Sequence, residues 1–330
     1  MASKNYVKNI AVVGAGGRMG GAVVKALLAE GKHKVTAITR HDSTSEIPQG
    51  VTVKKANYDD PAALTEALQG QDALIITMAS TAPPEQQMRL VEAAAAANIP
   101  WVMPNWYGGD GTNEALSKDI MLGARLQPVL KRIEELGKSS WINLACSFWY
   151  EWSLGGGFPG SGSAPLMYGF NWDERAVTFY DDGTTKTNTS TWPQAGLAVA
   201  RLFALKVHPD GSDDKSPTIS QFKNGYVYVS SFLVSQKDMF ESVKRVTKTT
   251  DADWKISYEP SAKRYKEGME TLQKGVIMGF VKALYSRGLF PNGDGNFEAK
   301  HGLQNDILGL PKEDLDEATR AALRFGNVSF

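Results

Sequence analysis

A single cysteine, Cys146, stands among 330 residues, so no disulfide can form within the chain. Set in the apolar stretch 142–148, it is expected to be a buried, unreactive thiol. Histidine is nearly as scarce, and His33, His41, His208 and His301 are scattered without ligand spacing, which leaves a metal site without support. Neither sign of charge is in excess. With 36 basic and 36 acidic side chains and no long block of either, nucleic acid and anionic membrane are not expected as partners. No apolar run reaches the length of a membrane span, and the first residues lack the apolar core of a signal peptide, so the cytoplasm is the expected compartment. A hydrophobic fraction of 42% against 22% charged residues suffices for a full core in one large or two modest domains.

Glycine, by contrast, is concentrated where chemistry can use it. Residues 8–20 run from a short apolar strand into Gly14, Gly16, Gly17 and Gly20, with a helix following over 22–28. A turn of this kind brings backbone N–H groups and the positive end of a helix dipole against a pyrophosphate. The familiar G-x-G-x-x-G spacing is not met, because Met19 holds its third position, and the register that fits is Gly14-x-x-Gly17-x-x-Gly20. Gly14 then makes the tight turn, Gly17 admits the phosphates and Gly20 lets helix pack on strand. Gly16, Arg18 and Met19 complete the expected cofactor loop. The second strand, 34–40, ends in Thr39-Arg40-His41 with no carboxylate for a ribose 2′-hydroxyl, and a guanidinium there suits a 2′-phosphate. The expected cofactor is NADP(H).

Alternation continues with strands at 51–55, 73–77, 100–103 and 141–145 and helices at 61–68, 84–97 and 116–136. This pattern predicts an α/β fold, a Rossmann doubly wound parallel sheet whose ligands sit beyond the C-terminal strand ends, with a smaller C-terminal substrate domain. The glycine-rich stretch 155–162 ends the regular alternation. The expected division is 1–153 for the NADP-binding domain, with later returns near 176–205 and 226–247, and 154–175 plus 248–330 for the smaller covering domain. Segments 176–180 and 226–232 look like strands rejoining the sheet, and 237–247, 262–285 and 312–325 look helical.

Taken together, Gly14-x-x-Gly17-x-x-Gly20, Thr39-Arg40, the helix start Asn57-Tyr58-Asp59-Asp60-Pro61 with Gly70-Gln71-Asp72-Ala73 behind it, and Asp182-Gly183-Thr184-Thr185-Lys186 resemble the NmrA-like and isoflavone-reductase-like branch of the atypical short-chain dehydrogenases, over the chain to about Trp254. The resemblance implies NADP bound by a Rossmann domain and a smaller domain closing over a pocket. It also implies cofactor contacts from Asn57, Tyr58, Thr77, Met78, Ala79 and Asn105. Members of the branch include NADPH-dependent reductases of aromatic natural products, regulators that sense NADP, and fungal enzymes of non-redox chemistry. Two departures bear on mechanism. Pro104-Asn105-Trp106-Tyr107-Gly108 replaces the reductases' Pro-Ser-Glu-Phe-Gly-like segment, and Leu126 stands where they carry a catalytic lysine. Tyr-x-x-x-Lys is absent as well, since none of the eleven tyrosines has Lys four residues later.

Other groups must therefore handle the proton. Arg125 and Lys118, seven apart on the expected helix 116–136, would share a face and could polarise or steer a substrate. Trp106 and Tyr107 follow one strand and 148–152 another, so Trp106, Tyr107, Trp149 and Trp152 are expected to converge on a flat, apolar substrate. Glu151 among these rings is the candidate acid or base, with Tyr107 and Arg125 as the other catalytic candidates. The leading reading is an NADPH-dependent reductase of a small aromatic or alkaloid-like secondary metabolite. A cyclase or isomerase that retains bound NADP is the second, and an NADP-sensing regulator with a protein partner is the third.

Overall fold

The computed structural model describes residues 5–79, 82–156 and 167–328. Its first half alternates as the pattern predicts. In order come β1 (Asn9–Val13), α1 (Arg18–Glu30), β2 (Lys34–Thr39), β3 (Thr52–Lys55), α2 (Pro61–Leu68), β4 (Ala73–Ile76), α3 (Pro84–Ala96), β5 (Trp101–Met103), α4 (Glu114–Asp119), α5 (Gly123–Leu136), β6 (Ser140–Ala145), β7 (Phe148–Trp149) and α6 (Tyr150–Leu154). Then follow β8 (Phe170–Asn171), β9 (Ala176–Tyr180), β10 (Lys186–Ser190), α7 (Trp192–Phe203), β11 (Gly225–Tyr228), β12 (Phe232–Ser235), α8 (Gln236–Thr247), β13 (Lys255–Glu259), α9 (Ser261–Gln273), α10 (Met278–Gly288), α11 (Phe297–His301) and α12 (Leu315–Phe325).

Seven parallel strands form the main sheet in the order β11-β6-β5-β4-β1-β2-β3. The order reverses direction at β1, with β2 on one side and β4 on the other, which is the switch point where such sheets leave a crevice. Its central strands are apolar on both faces, as a sheet covered by helices on both sides requires. One core lies under α1 and α7, with Val12, Val23, Leu27, Leu144 and Val199 among its members. The other lies under α2, α3 and α5, with Ile38, Leu64, Leu90, Leu130 and Trp141.

Two small sheets build the rest, β12-β10-β7 and β13-β9-β8, around a third core that includes Tyr150, Phe179, Phe240 and Tyr285. Here the sequence reading is corrected. The strand at 176–180 does not rejoin the main sheet, because β9 pairs with β8 and β13. The segment 226–232 is divided: β11 becomes the edge strand of the main sheet, whereas Phe232 begins β12 of a small sheet. The expected helix 116–136 is also two helices, since Met121 takes a left-handed φ of 60° between α4 and α5. A Cβ on Gly123 would lie 2.6 Å from the Ser117 side chain, so α5 can begin this close to α4 only with glycine. Most of the glycine-rich stretch 155–162 lies outside the described residues.

Candidate active site

β1 delivers the chain to Gly14, whose φ of 80° and lack of Cβ allow the turn to lie against Thr77: a Cβ there would sit 2.2 Å from the Thr77 carbonyl oxygen. Thr77 in turn donates its hydroxyl to the Val13 carbonyl at 2.7 Å, tying the ends of β1 and β4 together. Gly20 packs on the turn from the helix side, where a Cβ would approach the Gly14 carbonyl to 2.1 Å. Gly17 is different. Its added Cβ would meet only the Gly14 carbonyl at 3.1 Å, so the outer face of the loop is open. Gly17 also serves as the N-cap of α1 with no side chain capping it, and no acidic residue occupies the first turn. Uncapped N–H groups at an exposed, open helix start are what a pyrophosphate needs, so Gly14, Gly17, Arg18, Met19 and Gly20 fit the phosphates of a dinucleotide. Gly16 faces the loop after β2 instead, where a Cβ would lie 2.6 Å from the Glu46 carbonyl oxygen.

Arg40 emerges at the end of β2 as an exposed side chain whose only carboxylate contact among the described residues is a loose one, 3.5 Å from Asp42. It is therefore available to a 2′-phosphate. Beside it Tyr58 is buried and spends its hydroxyl on the Ile38 carbonyl at 2.8 Å, and burial pushes that phenol up to about 12. Tyr58 thus braces the end of β2, while Asn57 accepts the Asp59 N–H at 3.0 Å in the turn leading to α2. At the end of β4, Met78 offers its carbonyl to the Asn105 amide at 2.9 Å, and the Asn105 N–H is held by the Gln87 side chain at 2.7 Å. Met78, exposed Ala79 and Asn105 accordingly line one rim formed by the ends of β4 and β5.

The expected convergence of aromatic rings is only partial: Trp106 and Tyr107 lie past the end of β5, where the Trp106 N–H bonds the Pro104 carbonyl at 2.7 Å in a tight turn, and the two rings part. Trp106 joins the core under α5, whereas Tyr107 and Trp149 join the core under α1 and α7. Trp149 lies 6.1 Å from Trp192, centroid to centroid, and Phe148 and Tyr150 enter the third core. Trp152 is carried by α6 to the glycine turn, where the Arg18 guanidinium carbon sits 4.6 Å from its ring centroid. Leu126 is buried in the core beneath α5, so no titrating group could be accommodated there without a partner.

The proton-transfer candidates separate sharply. Arg125 and Lys118 are exposed on different helices, and the break at Met121 removes the continuous face they were expected to share. Tyr107 is enclosed, its hydroxyl has no partner among the described residues, and burial raises its pKa well above the usual phenol value. Cys146 is the inert thiol the sequence suggests, buried and pushed up to about 12. Glu151, in the first turn of α6, is 6% exposed and accepts the Trp192 N–H with both oxygens, at 3.2 and 3.1 Å. Burial raises it to about 7 despite that hydrogen bond, with Glu313 adding like charge.

A further group was invisible in the sequence. The loop after β5 crosses the end of β6, its Gly108 carbonyl accepting the N–H groups of Cys146 at 3.0 Å and Ser147 at 2.8 Å. Two residues on, Asp110 is 3% exposed and meets His301 Nε2 at 2.8 Å. Its other oxygen accepts the Thr112 hydroxyl at 2.6 Å and the Tyr228 hydroxyl at 3.0 Å. Burial works against its charge, but the bonds from Thr112, His301 and Tyr228 outweigh it and hold the carboxylate down at about 2. The His301 ring stacks on Tyr228 at 4.2 Å, with Lys300 also reaching Asp110, at 3.4 Å. An ionised carboxylate that fixes one imidazole nitrogen leaves the other to exchange a proton. The partners lie 191 residues apart, so no local motif announces them.

Comparison with known proteins agrees with the fold. Residues 7–150 match the NmrA-like family. Over 318 residues the chain is 26% identical to oxidoreductase aprR of Aspergillus flavus, covering 96% of this chain and 98% of that protein. It is 24% identical over 325 residues to oxidoreductase poxI of Penicillium oxalicum, covering 92% and 90%. Among solved structures, AtPrR2 with NADP+ and (+)pinoresinol superposes with a TM-score of 0.69 at 17% identity, over 96% of this chain and 98% of that one. The NADPH-dependent quinone oxidoreductase QOR2 of Escherichia coli in complex with NADPH gives 0.64 at 18%, over 94% and 98%.

Proposed function

We propose that this chain, NmrA-like over residues 7–150, is an NADPH-dependent reductase of a small aromatic molecule. The observation that carries the reading is the open face at Gly17 beside the uncapped start of α1, in a chain similar along nearly its whole length to proteins named oxidoreductases. Backbone N–H groups of the loop hold the pyrophosphate, and Arg40 takes the 2′-phosphate in place of Asp42. Bound NADPH supplies a hydride to an electrophilic carbon of the substrate. His301, oriented by Asp110, gives the proton to the oxygen or nitrogen where negative charge would otherwise build up, and recovers it from water. It does so where the leucine at 126 cannot. The described residues of the covering segments, 154–156, 167–175 and 248–328, shield the reacting groups from solvent. Titration with NADPH and NADH, followed by transfer of deuterium from C4-labelled NADPH into quinone and aromatic-carbonyl probes, tests the reading. Failure to bind NADPH overturns it.

Glu151 favours a second reading. A buried carboxylate at about 7 can hold or release a proton near neutrality, as an isomerase or cyclase that keeps NADP bound would require. Product formed with NADPH unconsumed, and equally well with NADP+, selects it.

A further inference from the structure

Arg18, the first residue of α1, lies against the cofactor loop with no carboxylate in ion-pairing range among the described residues. Its guanidinium is nonetheless held. The carbon sits 4.6 Å from the Trp152 ring centroid and 5.3 Å from that of Phe325. Those two rings are 5.9 Å apart, and Phe325 also meets Trp192 edge-on at 5.1 Å. Three distant parts of the chain thus join at one cation: the glycine turn, α6, and the last turn of α12.

We infer that Trp152 and Phe325 position Arg18 to grip the phosphates of the cofactor, which makes the C-terminal helix α12 a working part of the dinucleotide site. This rests on the reading above that the glycine turn holds NADP(H). Aromatic faces orient a guanidinium without neutralising it, so its N–H groups stay available for charge-assisted bonds to an anion, whereas a carboxylate partner would compete with that anion. The positive charge already stands beside the N-terminal end of α1, where dipole and cation act on the same phosphate.

The seat of Phe325 is tightly specified. A Cβ on Gly155 would lie 2.4 Å from the Ala322 carbonyl oxygen, and one on Gly326 would lie 2.2 Å from the Gly155 carbonyl oxygen, so α12 and the end of α6 touch backbone to backbone. Thr319 adds hydrogen bonds to Tyr150 at 2.9 Å and Ser242 at 2.8 Å. Little slack remains for Phe325 to leave Arg18 without α12 shifting.

Calorimetric titration of NADP+ and of inorganic pyrophosphate into the full chain decides the matter. Phe325→Leu keeps apolar bulk but removes the aromatic face, and Arg18→Met removes the charge. Each is expected to raise the NADP+ Kd by roughly three- to thirtyfold, the range of a partly desolvated cation–π contact. The double variant should lose no more than Arg18→Met alone, because Phe325 acts only through Arg18. Thermal unfolding of each variant reports on packing, and Phe325→Leu should unfold close to wild type while binding less well. Wild-type affinity in Phe325→Leu, or additive losses in the double variant, overturns the inference while leaving the cofactor assignment intact. A wild-type chain that binds neither NADP+ nor pyrophosphate overturns both.

Discussion

The carboxylate of Glu151 accepts the backbone N–H of Trp192 at 3.1 Å, so an acidic side chain from α6 closes the first turn of α7 inside the protein. A helix start stabilises negative charge, yet burial dominates here and the group titrates at about 7 rather than its ordinary 4.5. The folded state therefore holds this proton more tightly than the unfolded state. The stability that follows is fully present below about pH 4.5 and is lost as pH rises through about 7. Glu151→Gln keeps the shape and has no proton to lose, so its stability relative to wild type should increase by about 3 kcal/mol between pH 4 and pH 8. Denaturant melts of both proteins across that range check the sign. A constant difference would mean that Glu151 ionises normally.

The two glycines flanking the cofactor loop should respond differently. Gly20→Ala places a Cβ 2.1 Å from the Gly14 carbonyl oxygen and should cost roughly 1–3 kcal/mol of stability as an overpacked contact. Gly17→Val puts its bulk on the open face, and should abolish NADPH binding while leaving a cooperative thermal transition. Paired melting and binding measurements separate these outcomes.

Arg40→Ala should weaken NADPH by about 1–3 kcal/mol, the worth of a charge-assisted contact, and barely change NADH. The loose approach to Asp42 at 3.5 Å leaves little to lose on the protein side. Equal losses for both cofactors would remove Arg40 from the 2′-phosphate site.

His301→Gln should lower kcat roughly a hundredfold with NADPH affinity unchanged, since the substitution removes a titrating nitrogen and keeps a donor near Asp110. Asp110→Asn should show a smaller loss and a shifted pH profile, because it acts through the imidazole. Unaltered turnover in His301→Gln would return the proton step to Glu151.

The main sheet was legible because its signals are local: apolar runs of strand length, glycines at a turn, and helix starts such as Asp60-Pro61, where Asp60 accepts the N–H groups of Ala62 and Ala63. The glycine turn was legible for the same reason, since a tight turn and a close helix contact can be made only by glycine. The direction of a side chain leaving a strand, and the strand that a given segment finds as its neighbour, are not local properties. Trp106 and Tyr107 are adjacent in sequence and face opposite cores, and β9 meets β13, whose residues lie 79 positions away, rather than the main sheet. Pairings across long separations are chosen by what buries the most apolar surface in the finished fold, which no short stretch of sequence encodes. That is why the glycine turn could be read directly, whereas the meeting of Asp110 with His301 and of Arg18 with Phe325 was decided only when the last third of the chain folded back over the strand ends.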